Sequence, residues 1–418
     1  MQQNQTEELG TLSVGKLLFK LAMPAIAAQI INLLYNLVDR MYIGHIAKVG
    51  KLALTGVGVC LPLIMLISAF AALVSMGSAP RASIFLGKGE KDNAEKTLGN
   101  SFSLLVIISL ILTITFFCFS KDLLLAFGAS ENTIDYAVSY MKIYSIGTIF
   151  VQLTLGLNAF ISAQGFAKVS MMTVLIGAVC NIILDPILIF GYFGLPALGV
   201  SGAAIATVIG QFSAAILAFI LFKRYNTHLH VSFKGLKIDF HVMSQLYSVA
   251  VPSTVMMCLP SVLVSLLNGM LATISQSAVA FFGVYYKLQT FIYMPTTGVV
   301  QGMRPLMSYN YGAHLKERMH QILKVSGLAI ATILGLGTLL FFMIPDILLS
   351  LFNASKGMLE IGQTGLRILS ISFVVSSFGV LMSGVFESLG MGKYSLIVSL
   401  LRQLVITVPL AYLLLQIM

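Results

Sequence analysis

Long apolar runs separated by short polar connections dominate the chain. A membrane-spanning helix needs about 20 mostly apolar residues. Eleven stretches meet that length, at roughly 17–40, 53–79, 98–120, 135–163, 169–192, 198–222, 243–271, 277–303, 324–345, 360–388 and 395–417. The runs are much longer than barrel strands and lack the alternation of a transmembrane barrel. The pattern therefore predicts an all-α integral membrane protein. The one long polar stretch, about 223–242, divides the chain near its middle.

Composition agrees. Of the 418 residues 58% are hydrophobic and only 10% charged, where soluble domains carry about a quarter. Mean hydropathy is +0.94. Such a chain cannot cover a soluble surface, which excludes a cytosolic enzyme, a nucleic-acid binder and a disordered scaffold. Cys60, Cys118, Cys180 and Cys258 lie far apart in apolar runs, with no spacing for a zinc site or a disulfide framework. There is no HExxH and no P-loop. Residues 1–15 are polar and the first apolar run already contains Lys16 and Lys20, so it is not a secretory signal.

The net charge of +10 raises the question of an acidic partner, but its distribution answers it. With the N-terminus cytoplasmic, inner segments hold 16 of the 25 Lys and Arg, Arg81 and Arg304 among them. Outer segments hold five: Arg40, Lys48, Lys51, Lys121 and Lys356. This is the positive-inside bias of a membrane protein. It places the N-terminus in the cytoplasm and predicts a multi-pass protein of the plasma (inner) membrane, with the bilayer as partner and no nucleic acid.

The two halves repeat at an offset of about 225. Phe127-Gly128-Ala129-Ser130 matches Phe352-Asn353-Ala354-Ser355, and Lys142-Ile143-Tyr144-Ser145-Ile146 matches Arg367-Ile368-Leu369-Ser370-Ile371. Gly165 and Lys168 match Gly390 and Lys393, Pro80 and Gly87 match Pro305 and Gly312, and Pro24 pairs with Pro252. Both repeats start on the inner side, so each holds an even number of helices. Parallel repeats of this kind flank a central substrate cavity in secondary transporters. The expected organisation is two parallel six-helix lobes, 1–225 with helices 1–6 and 226–418 with helices 7–11. Adding the offset to the sixth stretch puts its partner beyond Met418, so a twelfth helix is expected to be missing. The flank left uncovered is expected to expose small or polar groups near Arg402 and Gln403.

Ionisable groups within a bilayer cost a few kcal/mol on insertion scales and mark function. Three acids lie inside apolar stretches: Asp39, Asp185 and Glu387. Asp39 ends a stripe of Gln29, Asn32 and Asn36 at helical spacing, with Tyr35 one turn before it. Asp185 follows Asn181 by one turn and precedes Pro186, which tends to bend a helix and free carbonyls. Close carboxylates hold a proton more tightly than separate ones, and their oxygens equally suit a hard cation such as sodium. Asn158 and Thr207 are placed to complete the shell. Glu387 reads as an interfacial acid. Lys287, deep in the eighth stretch, needs a counter-charge or a watery cavity. Lys142 and Arg367 read as interface anchors, and the 21 methionines as filler, some of them suited to an adaptable cavity.

Several motifs resemble the multidrug and toxic compound extrusion (MATE) family. They are Met23-Pro24 with Tyr35-Asn36-Leu37-Val38-Asp39 and Ile43-Gly44; Asn181-Ile182-Ile183-Leu184-Asp185-Pro186-Ile187-Leu188-Ile189; Gly199-Val200-Ser201-Gly202-Ala203-Ala204-Ile205-Ala206-Thr207; and Gly87-Lys88-Gly89-Glu90 with Tyr311-Gly312. The likeness covers nearly the whole chain and is greatest to the DinF/MepA branch. It implies a monomeric twelve-helix antiporter that exports amphipathic, often cationic, drugs or toxins by alternating access, in exchange for protons or sodium. It implies a cation site of Asp39, Asn181, Asp185 and Thr207, with Tyr35, Asn36, Asn158 and Asn32 in the network. The other branch keeps a key acid on helix 7. Here that helix offers only Ser253, Thr254, Ser261, Ser265 and Asn268, which concentrates the expectation on the N-lobe and leaves Lys287 and Glu387 as C-lobe candidates. No cofactor is expected beyond the coupling ion.

A lipid-linked oligosaccharide flippase of the wider superfamily is the alternative. Such a flippase is expected to line its cavity with several bases for pyrophosphate, whereas the helix-embedded bases are Lys142, Lys287, Arg367 and Arg402. An integral membrane enzyme would need a His cluster, a paired-acid motif or a nucleophile elbow, and the sequence has none.

Overall fold

The computed structural model describes residues 4–225, 239–352 and 356–417. The first half runs α1 (Asn4–Thr11), α2 (Val14–Gly44), α3 (Gly50–Gly87), α4 (Lys91–Cys118), α5 (Ser120–Ala126), α6 (Ile134–Ile146), α7 (Thr148–Ala163), α8 (Ala167–Phe190) and α9 (Val200–Tyr225). The second runs α10 (Phe240–Ala272), α11 (Gln276–Gly312), α12 (Lys316–Met343), α13 (Pro345–Ser350), α14 (Lys356–Ser388), α15 (Gly392–Leu400), a π-helical turn (Leu401–Ile406) and α16 (Thr407–Ile417). No strand occurs among the described residues.

Nine described helical segments are long and apolar enough to cross a membrane, and the bent α6–α7 pair makes ten. With the 37-residue α11, which is long enough but more polar, these are the eleven stretches the hydropathy pattern predicts. Several polar groups of α11 are buried inside the protein: Ser308 donates to Ser388 O and Asn310 to Leu9 O and Leu306 O.

The helices differ from the sequence reading in four places. α3 and α11 run past Pro80 and Pro305, so Arg81 and Arg304 sit in helices and not in loops. The apolar run ends there, but a helix does not need hydrocarbon to continue, and both extensions pack against protein. The 135–163 stretch is two helices bent by 52°. The break is at Gly147, where an added Cβ would lie 2.8 Å from both Gln211 Oε1 and Val208 Cγ2 of α9. The last stretch contains the π turn, where the guanidinium of Arg402 packs against Gly379 of α14.

The repeat is visible in three dimensions. α4 and α12 start and end 225 residues apart, and so do the starts of α5 and α13. Gly165 and Gly390, also 225 apart, both adopt left-handed backbone, φ 92° and 74°, at matching turns. Asn353–Ser355 of the repeat match, and Lys234 and Lys237, lie outside the described residues, as does most of the polar stretch between the halves.

One buried cluster joins Ile43, Val57, Leu63, Tyr140, Ile189 and Ala203 of the first half. A second joins Phe281, Tyr285, Phe341 and Phe373 of the second half. That second cluster also takes Leu9, Leu17, Leu21 and Ala22, so α1 and the start of α2 pack on the second repeat. The halves meet on the N-terminal side by close backbone approach. A Cβ on Gly87 would lie 2.1 Å from Tyr309 O, and one on Gly312 would lie 2.0 Å from Ile84 O. Only glycine permits that distance. Ser83 Oγ donates to Pro305 O (3.2 Å) and Arg81 Nη1 to Gln245 O (2.9 Å) across the same seam.

α1 straps this seam. Thr6 Oγ1 donates to Gln164 O of the first repeat at 3.2 Å. At its other end, Arg318 Nη2 donates to Leu9 O (3.2 Å) and Leu12 O (2.7 Å), and Asn310 Nδ2 to Leu9 O (2.9 Å). A cation at a helix C-terminus satisfies orphan carbonyls and matches the helix dipole.

Candidate functional site

The predicted N-lobe residues converge between α2, α8 and α9. Asp185 is fully buried, Asn181 is 2% exposed, Thr207 7% and Asp39 8%. Spacing of four on α8 stacks Asn181 and Asp185 on one face. Asn181 Nδ2 donates to Asp185 Oδ1 (3.2 Å) and toward Thr207 Oγ1 (3.3 Å), while Thr207 Oγ1 donates to Ala203 O (2.9 Å). Asp39 reaches this cluster from α2, close enough for its carboxyl to interact with that of Asp185.

Several oxygens have no protein partner. Asp39 Oδ1, Asp185 Oδ2 and Asn181 Oδ1 are buried without a hydrogen bond. A buried orphan oxygen is costly, and two ionised carboxylates side by side repel. One proton or one monovalent cation between them relieves both costs. The donor set is all oxygen, which suits a hard cation. No group of three or more His, Cys, Asp or Glu occurs among the described residues, so the arrangement does not resemble a transition-metal site.

The network residues divide. Asn158 is buried and accepts from Thr173 Oγ1 at 2.9 Å, one step removed from the carboxylates. Tyr35 is half-buried and within electrostatic reach of both acids. Asn32 and Asn36 are exposed, and Asn36 Nδ2 donates back to Asn32 O at 2.6 Å.

Glu387 is 6% exposed and pairs with the half-buried Arg304 in an ion pair between α14 and α11. The sequence reading gave Glu387 no partner, because it set Arg304 in an inner segment beyond the apolar stretch, whereas α11 continues to Gly312. Lys287 is exposed and makes no ion pair among the described residues.

Sequence reasoning missed Tyr140, Tyr144 and Gln211. Both tyrosines are buried. Tyr140 interacts with Thr207 and Asp39, and Tyr144 with Gln211 and Tyr35. Their spacing of four on α6 was the available signal. They wall the site on the side of the Gly147 bend.

The MatE family model matches residues 24–187 and 252–413, one segment in each repeat. The chain belongs to the MatE family. Among curated relatives, Multidrug export protein MepA of Staphylococcus haemolyticus (strain JCSC1435) is 27% identical over 96% of this chain and 87% of its own length. MepA of Staphylococcus aureus (strain bovine RF122 / ET3-1) is 26% identical over 94% and 86%. Of solved structures, a MATE in the bent conformation superposes with a TM-score of 0.88 at 23% identity, covering 98% of this chain and 89% of that one. An outward-facing multidrug resistance MATE transporter gives 0.86 at 23% identity, over 98% and 90%. These likenesses establish a two-lobe MatE fold and a multi-pass membrane protein.

Proposed function

We propose that this MatE protein is a secondary active multidrug efflux antiporter. It exports small amphipathic molecules by alternating access, in exchange for protons or sodium ions. The observation that carries the coupling is the buried pair Asp39–Asp185, with three oxygens that lack partners. Asp39 is contributed by α2, and α2 also packs on the second repeat through Leu21 and Ala22. Binding a cation between α2 and α8 therefore bears on the helix that touches both lobes. Coupling requires that the cation favour one lobe arrangement over the other. Asp39, Asp185, Asn181 and Thr207 would hold the ion, and no organic cofactor enters.

The inner closure of the seam supports a structure open on the side away from the N-terminus, with that terminus cytoplasmic. The names of the staphylococcal relatives support drug export, and the family fold supports transport over catalysis. The test is dye efflux from proteoliposomes under an imposed pH gradient, then under a sodium gradient alone. Efflux driven by at least one gradient is expected. Movement driven by neither would refute antiport.

A further inference from the structure

The first repeat breaks a helix that the second repeat keeps whole. α6 and α7 meet at Gly147 with a bend of 52°. The 225 offset carries their span, 134–163, onto 359–388, which lies inside the single helix α14. The fold therefore admits a continuous form of this element, and the break is particular to the repeat that holds the carboxylate pair.

The break leaves polar atoms without partners. Helical threonines such as Thr207, Thr254 and Thr338 donate to the carbonyl four residues back, at 2.9, 3.0 and 3.1 Å. For Thr148 that carbonyl is Tyr144 O. At the bend Tyr144 O accepts from Gly147 N at 2.9 Å, and Thr148 Oγ1 is fully buried with no partner. Gln211 Oε1 is also buried without one, 2.8 Å from where a Cβ on Gly147 would lie. Buried orphan groups are costly, so the bend is held by its surroundings and not by its own bonds.

Those surroundings are tied to the carboxylates. α9 carries Thr207 of the ion site and, one turn later, Gln211 of the bend. α6 carries Tyr140, which interacts with Thr207, and, one turn later, Tyr144, which interacts with Gln211. The two tyrosine rings stack with centroids 6.0 Å apart. Next to Gln211, Phe212 meets Phe150 of α7 edge-on at 4.9 Å. Two rungs thus join α6 to α9, one beside the carboxylate pair and one at the break. Beyond the break α7 runs to Gln164, whose carbonyl holds Thr6 of α1 on the inner seam.

We infer that Gln211 and Tyr144 are positioning residues that carry the occupancy of the Asp39–Asp185 site to the bend at Gly147. The inference rests on the ion-coupled reading above and names how that site is read by the fold. An ion between the carboxylates engages Thr207 and draws it, with Gln211 one turn away, off Gly147. α6 and α7 then relax toward the continuous form, in which Thr148 Oγ1 reaches Tyr144 O, and α7 shifts where Gln164 holds α1.

The test is hydrogen exchange of the full chain in nanodiscs, read by mass spectrometry at one pH. The reporting segment is 145–151, and 370–376 of α14 is the reference. Occupancy is set in two ways: sodium chloride in place of potassium chloride, and Asp39→Asn/Asp185→Asn as the uncharged mimic of protonated acids. At least one of them is expected to slow exchange over 145–151 about 5-fold or more, since local opening sets the rate, and to leave 370–376 unchanged. Gln211→Ala and Tyr144→Phe should each abolish that response, with unchanged protection of 370–376 showing that the variants are folded. Thr148→Val, which keeps the shape and removes the hydroxyl, should weaken it. Slowed exchange without ion-driven efflux upholds the bend and removes antiport alone. Exchange over 145–151 that is unchanged or faster in both comparisons overturns the inference whether or not efflux is ion-driven, and so does a full response in either Gln211→Ala or Tyr144→Phe.

Discussion

Asn181 donates to Asp185 Oδ1 at 3.2 Å from one turn earlier on the same helix, and Asp185 Oδ2 stays buried without a partner. The amide therefore fixes one carboxylate oxygen and leaves the other available to whatever enters between Asp185 and Asp39. The same amide group reaches Thr207 on α9, so it sets the spacing of two helices around that opening.

Asn181→Ala removes this fixture. Losing a hydrogen bond to a charged group costs about 1.5–3 kcal/mol, so apparent affinity for the coupling ion should fall roughly 10- to 100-fold. The measurement is efflux rate against ion concentration. An unchanged half-saturating concentration would show that Asn181 is only a packing residue.

The seam depends on backbone contact that a methyl group cannot share. Gly312→Ala puts a Cβ 2.0 Å from Ile84 O, and Gly87→Ala puts one 2.1 Å from Tyr309 O. Either change should open the N-terminal side. With the four native cysteines replaced, a cysteine at Ser83 is buried in the closed seam. Its labelling by a maleimide should speed up about 10-fold or more in the Gly312→Ala background. Equal labelling rates would mean that the seam tolerates the methyl without opening.

The strap makes a separate claim. Arg318→Ala deletes the two hydrogen bonds from Nη2 to Leu9 O and Leu12 O at the C-terminal end of α1. At about 1.5–3 kcal/mol for bonds to a charged group, hydrogen exchange in residues 6–12 should accelerate about 10- to 100-fold. Exchange in α8, which Arg318 does not touch, should not change. Protection of α1 equal to the wild type would show that Leu9 packing alone holds the helix.

In the second repeat, Glu387→Ala leaves the half-buried Arg304 guanidinium unpaired. Breaking a fully buried pair from one side costs about 3–5 kcal/mol, and the partial exposure of Arg304 lowers the cost here. Thermal unfolding in detergent should shift down markedly, and the Arg304→Met/Glu387→Met double variant should recover most of the loss. A double variant as unstable as the single would give the pair a role beyond charge balance.

Much of this was legible in the sequence, and the reasons are specific. Asp39 and Asp185 stand out because an acid within an apolar run has few uses, and the spacing of four from Asn181 to Asp185 fixes their shared face. The offset of 225 survives because the helices it relates must present matching ends to the bilayer. The seam was not legible. Gly302 and Ala22 become neighbours only through the crossing of two helices, and no local pattern encodes a crossing. Arg304 was misplaced for a related reason: hydropathy marks where a run stops being apolar, not where its helix stops. The α6–α7 bend falls at Gly147, whose lack of a side chain is in the sequence, but the neighbours that require it, Gln211 and Val208 of α9, are not.

The central claim is that Asp39 and Asp185 couple an ion gradient to export. Both carboxylates are buried and their free oxygens face no other partner. Asn is nearly isosteric but cannot carry the charge, so Asp39→Asn or Asp185→Asn should keep the fold and lose the coupling. The decisive measurement is uphill dye efflux from proteoliposomes under the gradient that drives the wild type, with downhill dye equilibration as the control for folded protein. The account predicts that each variant equilibrates dye downhill but accumulates essentially none uphill. Uphill efflux near the wild-type level from both variants, at equal reconstitution, would contradict it.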